Sequence, residues 1–68
     1  MKRTDILATI QAASAQQKLV TLASILWTLG IVDNRANLSA LRGHLSALRT
    51  ARAIETHLIG NDIAYSAK

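Results

Sequence analysis

The sequence predicts a mainly α-helical fold in which three helices are followed by a small C-terminal β-hairpin. Half of the residues are hydrophobic, only 3% are aromatic and none is proline, and this composition, rich in Ala and Leu, favours helix. In the middle of the chain leucines recur at spacings of three and four, which is typical of one helix face. Near the C-terminus the residues alternate in character on both sides of Gly60-Asn61, as in two strands joined by a tight turn.

The size of the chain restricts its function. We treat residues 1–68 as a single domain, and a domain of this length buries only about 60% of its unfolded surface, which leaves little room for a catalytic cleft. The chain contains no cysteine and only two histidines, which lie far apart in the sequence, so disulfides and a structural zinc site are excluded. We therefore expect no enzymatic activity, no catalytic residue, no cofactor and no metal.

The charge of the chain points to an anionic partner. Eight Lys and Arg residues against four Asp and Glu give a net charge of +4 and a pI near 10.4, for which nucleic acid is the first candidate. No apolar run approaches the roughly 18 to 20 residues that cross a bilayer, and no signal-peptide core follows the polar N-terminus. We expect a soluble, cytoplasmic protein that does not bind membranes.

The first helix is predicted over residues 4 to about 13, with Thr4 as a plausible N-cap. Its apolar face consists of Ile6, Leu7, Ile10 and Ala13. No strong helix breaker follows, so one long helix through residue 29 stays open as an alternative. Local chemistry favours a break around residues 14–19.

The second helix is predicted over residues 22–29. Thr21 is a hydroxyl N-cap, and Val20 and Ile25 have the spacing of a hydrophobic staple. Gly30 can take the left-handed conformation that closes a helix. Apolar residues cover most of the circumference, so this helix is either buried on several sides or shares a face with another subunit.

The third helix is predicted over residues 38 to about 52, capped by Asn37 or, one turn earlier, by Asn34. Its core face is a leucine stripe of Leu38, Leu41, Leu45 and Leu48. The opposite face contains small and basic residues without a carboxylate, namely Ser39, Arg42, Gly43, Ser46, Arg49 and Thr50.

The last segment predicts a hairpin over residues 54–66 with a primed two-residue turn at Gly60-Asn61. The predicted pairs are Ile59 with Asp62, Leu58 with Ile63, His57 with Ala64, Thr56 with Tyr65 and Glu55 with Ser66. Turn position and alternation agree on this register, which places Ile54, Thr56, Leu58, Ile63 and Tyr65 on one face.

This order of elements resembles the winged helix-turn-helix family of DNA-binding domains, over residues 19–65. Residues 20–26, with a Thr cap before Leu-Ala and an aliphatic pair, look like the second helix of the family. Residues 41–48 and the following 52–55 are similar to its recognition helix and the entry into the first wing strand. The chain departs from the family pattern in two places. The connection from Gly30 to Leu38 is longer than the tight turn of most bacterial members, and Ala53 stands where a glycine is common before the wing. The resemblance implies that the third helix enters the major groove and that the hairpin touches backbone or minor groove, as in a transcriptional regulator of bacterial, plasmid or phage type.

Four arginines are the main candidates for DNA contact. Arg35, Arg42, Arg49 and Arg52 fall within 18 residues, and no acidic residue separates them. Such unneutralised cations suit phosphates, although a basic helix face is often only solvated. We assign Arg42 to base reading, because an arginine paired with guanine is the commonest specific contact, and Arg35 and Arg49 to phosphates. Arg52 lies over the core edge or marks the end of the helix.

Other residues of the third helix and the hairpin complete the predicted DNA contact. Small residues between the arginines allow close approach to base edges, and the helix-interior Gly43 suggests contact with DNA or another helix. Asn37 serves as a cap or a phosphate ligand, and His57 is expected to be exposed on the hairpin. The full set is Arg35, Asn37, Ser39, Arg42, Gly43, Ser46, Arg49, His57 and Asn61.

Dimerisation would suit a domain too small to bind a specific site alone. Trp27 is either a core residue or, together with Val20 and Ile10, part of a homodimer interface. An alternative from a different class is an all-α dimeric interaction protein, in which residues 4–29 form one helix of a bundle that binds a protein partner.

Overall fold

Three helices and three strands make up the computed structural model, which describes all residues from Met1 to Lys68. The elements are α1 (Arg3–Ala15), β1 (Val20–Thr21), α2 (Leu22–Leu29), α3 (Arg35–Thr50), β2 (Ile54–Ile59) and β3 (Asp62–Ala67). The predicted class, three helices followed by a hairpin, is confirmed, and the element order is consistent with a winged-helix-like topology. The short strand β1 was not predicted. It joins the hairpin in a three-stranded antiparallel sheet of order β1-β3-β2.

Helix α1 is separate from α2. It begins at Arg3, so Thr4 lies inside the helix and its prediction as N-cap is wrong; Lys2 precedes the helix without a side-chain cap. After Ala15 the chain turns at Gln17, whose φ is 58°, and then extends into β1. The long-helix alternative is therefore wrong, and so is the all-α bundle built on it, because residues 20–21 pair with the hairpin.

Helix α2 has the predicted bounds and caps. The Thr21 hydroxyl accepts a hydrogen bond from the Ser24 amide at 3.3 Å. Gly30 is left-handed, with φ 67° and ψ 31°, and the next amide, of Ile31, donates to the Leu26 carbonyl at 2.9 Å. Both predicted staple residues belong to the buried core.

All three helices end in the same way. A left-handed residue follows each one, Gln17, Gly30 or Arg52. The next amide then donates to a carbonyl five residues back, in the pairs Lys18 to Ala13, Ile31 to Leu26 and Ala53 to Leu48. Arg52 therefore marks the end of α3, which decides between its two predicted positions.

The hairpin register is confirmed at every predicted pair. A positive φ of 60° at Gly60, without one at Asn61, fits a type II′ turn. On the other edge of β3, Val20 pairs with Tyr65 and Thr21 with Ala64. The β3 end is tied to α1 by a hydrogen bond of 2.7 Å from the Ala67 amide to the Ser14 hydroxyl.

One apolar cluster joins all six elements. The buried residues of the leucine stripe are Leu41, Leu45 and Leu48, while Leu38 is partly buried. The other members are Ile6, Ile10, Val20, Ile25, Leu26, Ile54 and Tyr65. None of the helices combines the length and the hydropathy that crossing a membrane requires.

Gly30 and Gly43 allow one substitution to be tested in two backbone conformations. Gly30→Ala places a Cβ on a residue with φ +67°, so we expect a loss of about 1 kcal/mol in the free energy of unfolding. Gly43→Ala lies inside α3, where an added Cβ meets nothing within 4 Å, and should gain up to about 1 kcal/mol. Urea denaturation of both variants measures these changes. A loss in Gly43→Ala would contradict the open surface of α3 at this position.

Candidate nucleic-acid interface

The outward surface of α3 contains a line of three exposed arginines, which we call the arginine row: Arg35, Arg42 and Arg49. They are seven residues apart, close to two helical turns, so successive members are offset by only about 20° around the helix. At 1.5 Å per residue the row spans about 21 Å. The row faces solvent because the leucine stripe, which repeats at the same seven-residue spacing, packs into the core.

The arginine row lies on the side of α3 that approaches the hairpin. Arg42 and Arg49 border a cavity of about 160 Å³ whose other walls include Thr56 and Tyr65. A neighbouring cavity of about 210 Å³ extends from Arg49 to the apolar Leu58 and Ile63. The hairpin and the helix therefore form the two sides of one concave surface.

The small residues predicted for close DNA approach are exposed as expected. Ser39, Gly43 and Ser46 lie beside the arginine row on the same outward surface. No atom outside its own helix lies within 4 Å of a Cβ built at Gly43. Packing against another helix of this chain therefore does not explain the glycine.

The guanidinium groups of the arginine row have no hydrogen-bond partner in the protein. Among the side-chain hydrogen bonds, only one involves an arginine, from Nε of Arg3 to Nδ1 of His44 at 3.2 Å, and none joins an arginine to a carboxylate. His44 is half-buried and connects α3 to α1 through this bond. No group of three His, Cys, Asp or Glu side chains is arranged to hold a metal ion.

The start of α3 is held by two asparagines with different roles. Asn34 is the N-cap, and its side chain accepts a hydrogen bond from the Asn37 amide at 2.8 Å. Asn37 is not the cap; its Nδ2 donates to the Val32 carbonyl at 2.8 Å and secures the preceding connection. The prediction of Asn37 as the N-cap is therefore wrong. Its half-buried side chain is engaged in the bond to Val32 and is not directed to solvent. Helix α3 begins earlier than predicted, which adds Arg35 to it.

Of the two hairpin residues predicted to contact DNA, one is less exposed than predicted. His57 is half-buried, not exposed, and its Nε2 lies 2.7 Å from the Ser66 hydroxyl. Asn61 is exposed at the tip, but residues 54–67 contain no Lys or Arg and two carboxylates, Glu55 and Asp62. This charge balance, visible in the sequence, makes the hairpin a poor surface for phosphates.

A larger groove connects the hairpin tip to the start of α2. Its volume is about 720 Å³, and Arg42 is its one basic residue, with Asp33 and Asp62 as its acidic ones. Tyr65 and Leu38 contribute to its apolar walls. Sequence reasoning missed Asp62 and Tyr65 as residues of the same groove as Arg42, because only the folding of the hairpin against α3 brings them together. Asp33, on the connection before α3, also borders this groove.

The three residues predicted for a dimer interface do not share one surface. Ile10 and Val20 are 0% and 8% exposed and belong to the core of the chain itself. Trp27 is 87% exposed, so its interpretation as a core residue is wrong. Of this set, only Trp27 can meet a second subunit.

The site thus consists of a row of free cations on one helix, a concave surface shared with an acidic hairpin, and a separate exposed tryptophan. No protein-family model, curated protein or solved structure matches this chain. Any functional interpretation therefore depends on the residues, charges and contacts of the chain itself.

The Asn34 cap can be tested by substitution. Asn34→Ala removes the acceptor for the Asn37 amide, and we expect it to lower the free energy of unfolding by about 1 kcal/mol. Ser39→Ala, on the exposed surface of the next turn, should change it by less than about 0.5 kcal/mol. Thermal and urea denaturation measure both. Equal effects in the two variants would contradict the assignment of Asn34 as the cap.

Proposed function

We propose that this chain is a small, sequence-specific double-stranded DNA-binding protein of the winged helix-turn-helix family, acting as a transcriptional regulator. The observation that carries the proposal is the arginine row, which presents three exposed guanidinium groups along one helix without a carboxylate partner. Each phosphate contact by such a group releases a counterion from DNA and contributes to affinity. The net charge of +4 supports the same partner.

The arrangement of α3 suggests a separate role for each arginine. The major groove of B-DNA, about 12 Å wide, accepts a single helix. Arg42 is the middle member of the row, and Gly43 and Ser46 beside it offer little steric obstruction to base edges. A guanidinium at this position can donate two hydrogen bonds to guanine O6 and N7. Arg35 and Arg49 lie about 10.5 Å from it along the helix axis, and we assign them to phosphates.

The hairpin has a smaller part in this proposal than the family resemblance implies. Its side chains include two carboxylates and no Lys or Arg, and His57 already has Ser66 as a partner. Asn61 at the tip is the hairpin residue that we assign to DNA. Most of the binding free energy should therefore come from α3.

Electrophoretic mobility shifts on random-sequence duplex DNA at low and moderate salt test the arginine row. Arg42→Ala and Arg49→Ala should each weaken binding by about fivefold or more, since contacts of this kind contribute about 1–3 kcal/mol. Arg49→Ala should also reduce the dependence of log K on log salt by about one phosphate contact. Lys18→Ala is the matched control, because it removes the same charge from the exposed turn after α1.

Three outcomes of this experiment would overturn the proposal. The first is absence of binding by the unmodified protein at low salt. The second is an equal loss in Lys18→Ala, which would show a response to net charge alone. The third is preferential binding of duplex RNA of the same sequence, which would assign the surface to a different nucleic acid.

The two hairpin carboxylates provide an independent test with the opposite sign. Asp62 borders the same groove as Arg42, so Asp62→Asn should strengthen DNA binding by about twofold to fivefold at low salt by removing a repulsive charge. Glu55→Gln, at the other end of the hairpin, should have a smaller effect on the same titration. Weaker binding by Asp62→Asn would instead assign this carboxylate a direct contact, such as acceptance from cytosine N4.

A further inference from the structure

The outward side of α2 is uncharged and has no partner within the chain. Trp27 is the most exposed of the large hydrophobic residues, at 87%. Around it on the helix surface lie Ala23, Ser24 and Thr28, all exposed. We call these four residues the α2 face. The opposite side of the helix supplies Ile25 and Leu26 to the core, so α2 cannot turn to bury its tryptophan.

The α2 face is free of charge on a charged protein. Residues 19–32 contain no Asp, Glu, Lys or Arg, although the chain as a whole has a net charge of +4. The helix surface therefore offers no cation to DNA phosphates, and the one charged residue that borders the adjoining groove is Asp33. Depletion of charge and enrichment of tryptophan are properties of the centres of protein interfaces.

The α2 face has both halves of a self-complementary contact. Trp27 projects from it, and beside the indole lies a groove of about 500 Å³ whose walls include the small residues Ala23 and Ser24 and one charged residue, Asp33. In an antiparallel pair of α2 helices related by a twofold axis, the tryptophan of each copy meets the small residues of the other. Such isologous contacts use the same patch on both subunits.

We propose that the α2 face is a homodimer contact in which Trp27 of each copy occupies the groove beside Ala23 and Ser24 of the other. A stable interface covers about 800 Å² per partner, while one buried tryptophan covers about 150–250 Å². Val32, 69% exposed on the following connection, adds apolar area, but the total stays well below that size. The dimer is therefore weak, with a dissociation constant in the micromolar range or above.

Sedimentation equilibrium without DNA tests this contact, at protein concentrations from about 1 μM to 1 mM. The unmodified chain should dimerise reversibly, and Trp27→Ser should weaken the dimer by at least tenfold. Leu58→Ser is the matched control, because it removes an apolar side chain that is similarly exposed, at 77%, on the hairpin. It should leave the dimer unchanged. Both positions are exposed, and denaturation curves verify that the variants fold.

The single tryptophan provides a second readout. Its fluorescence should shift to shorter wavelength as concentration rises, because the indole leaves water in the dimer. Ala23→Glu places a second carboxylate in the groove that contains Asp33 and should abolish both the shift and the dimer while retaining the tryptophan. A chain that remains monomeric at 1 mM, or a dimer that is lost in Leu58→Ser and retained in Trp27→Ser, would overturn the proposal.

This contact does not depend on the proposed DNA binding, and the two can fail separately. Arg42→Ala should retain the dimer while DNA binding falls. Trp27→Ser should retain the binding of one copy to DNA and lose the cooperative binding of two.

Discussion

Burial of a single apolar cluster positions every helix and strand of this protein. A chain of 68 residues can build only one core, and every helix and strand contributes at least one side chain to it. The cluster is supplied from α3 by Leu41, Leu45 and Leu48, and their inward orientation leaves the arginine row facing solvent. The arginine row thus runs along the edge of the leucine stripe, since both follow the same helical period and Arg42 and Arg49 come one turn after Leu38 and Leu45.

The way in which the helices end determines what lies beside that surface. A left-handed residue after each helix reverses the chain within a few residues. At Arg52 this reversal directs the chain into β2 and brings Thr56 and Tyr65 next to Arg42 and Arg49. A non-glycine residue in this conformation costs about 1 kcal/mol or more, which the closing hydrogen bond from the Ala53 amide to the Leu48 carbonyl helps to offset.

The surface of the protein divides into regions of different chemistry. The arginine row is cationic and faces a concave surface, the hairpin is acidic and apolar, and the α2 face is uncharged. Our two proposals use these differences directly: phosphates are attracted to the first region, and a second copy of the chain meets the third. A domain that contacts DNA mainly through α3 gains affinity when two copies bind together, so the two surfaces would serve one function.

Helices and turns with local signals could be predicted from the amino-acid sequence. Thr21 and Gly30 predicted both ends of α2, and Gly60-Asn61 predicted the full hairpin register, because a cap or a tight turn depends on only a few neighbouring residues. Tertiary structure decided where each apolar side chain goes. The side chains of Ile10, Val20 and Trp27 are all apolar, and the sequence does not distinguish them. Only packing places Ile10 and Val20 in the core and leaves Trp27 in solvent. Tertiary structure also decided the existence of β1, which is too short to have a period of its own and forms because β3 lies beside it. The position of His57 next to Ser66 likewise depends on the folded hairpin.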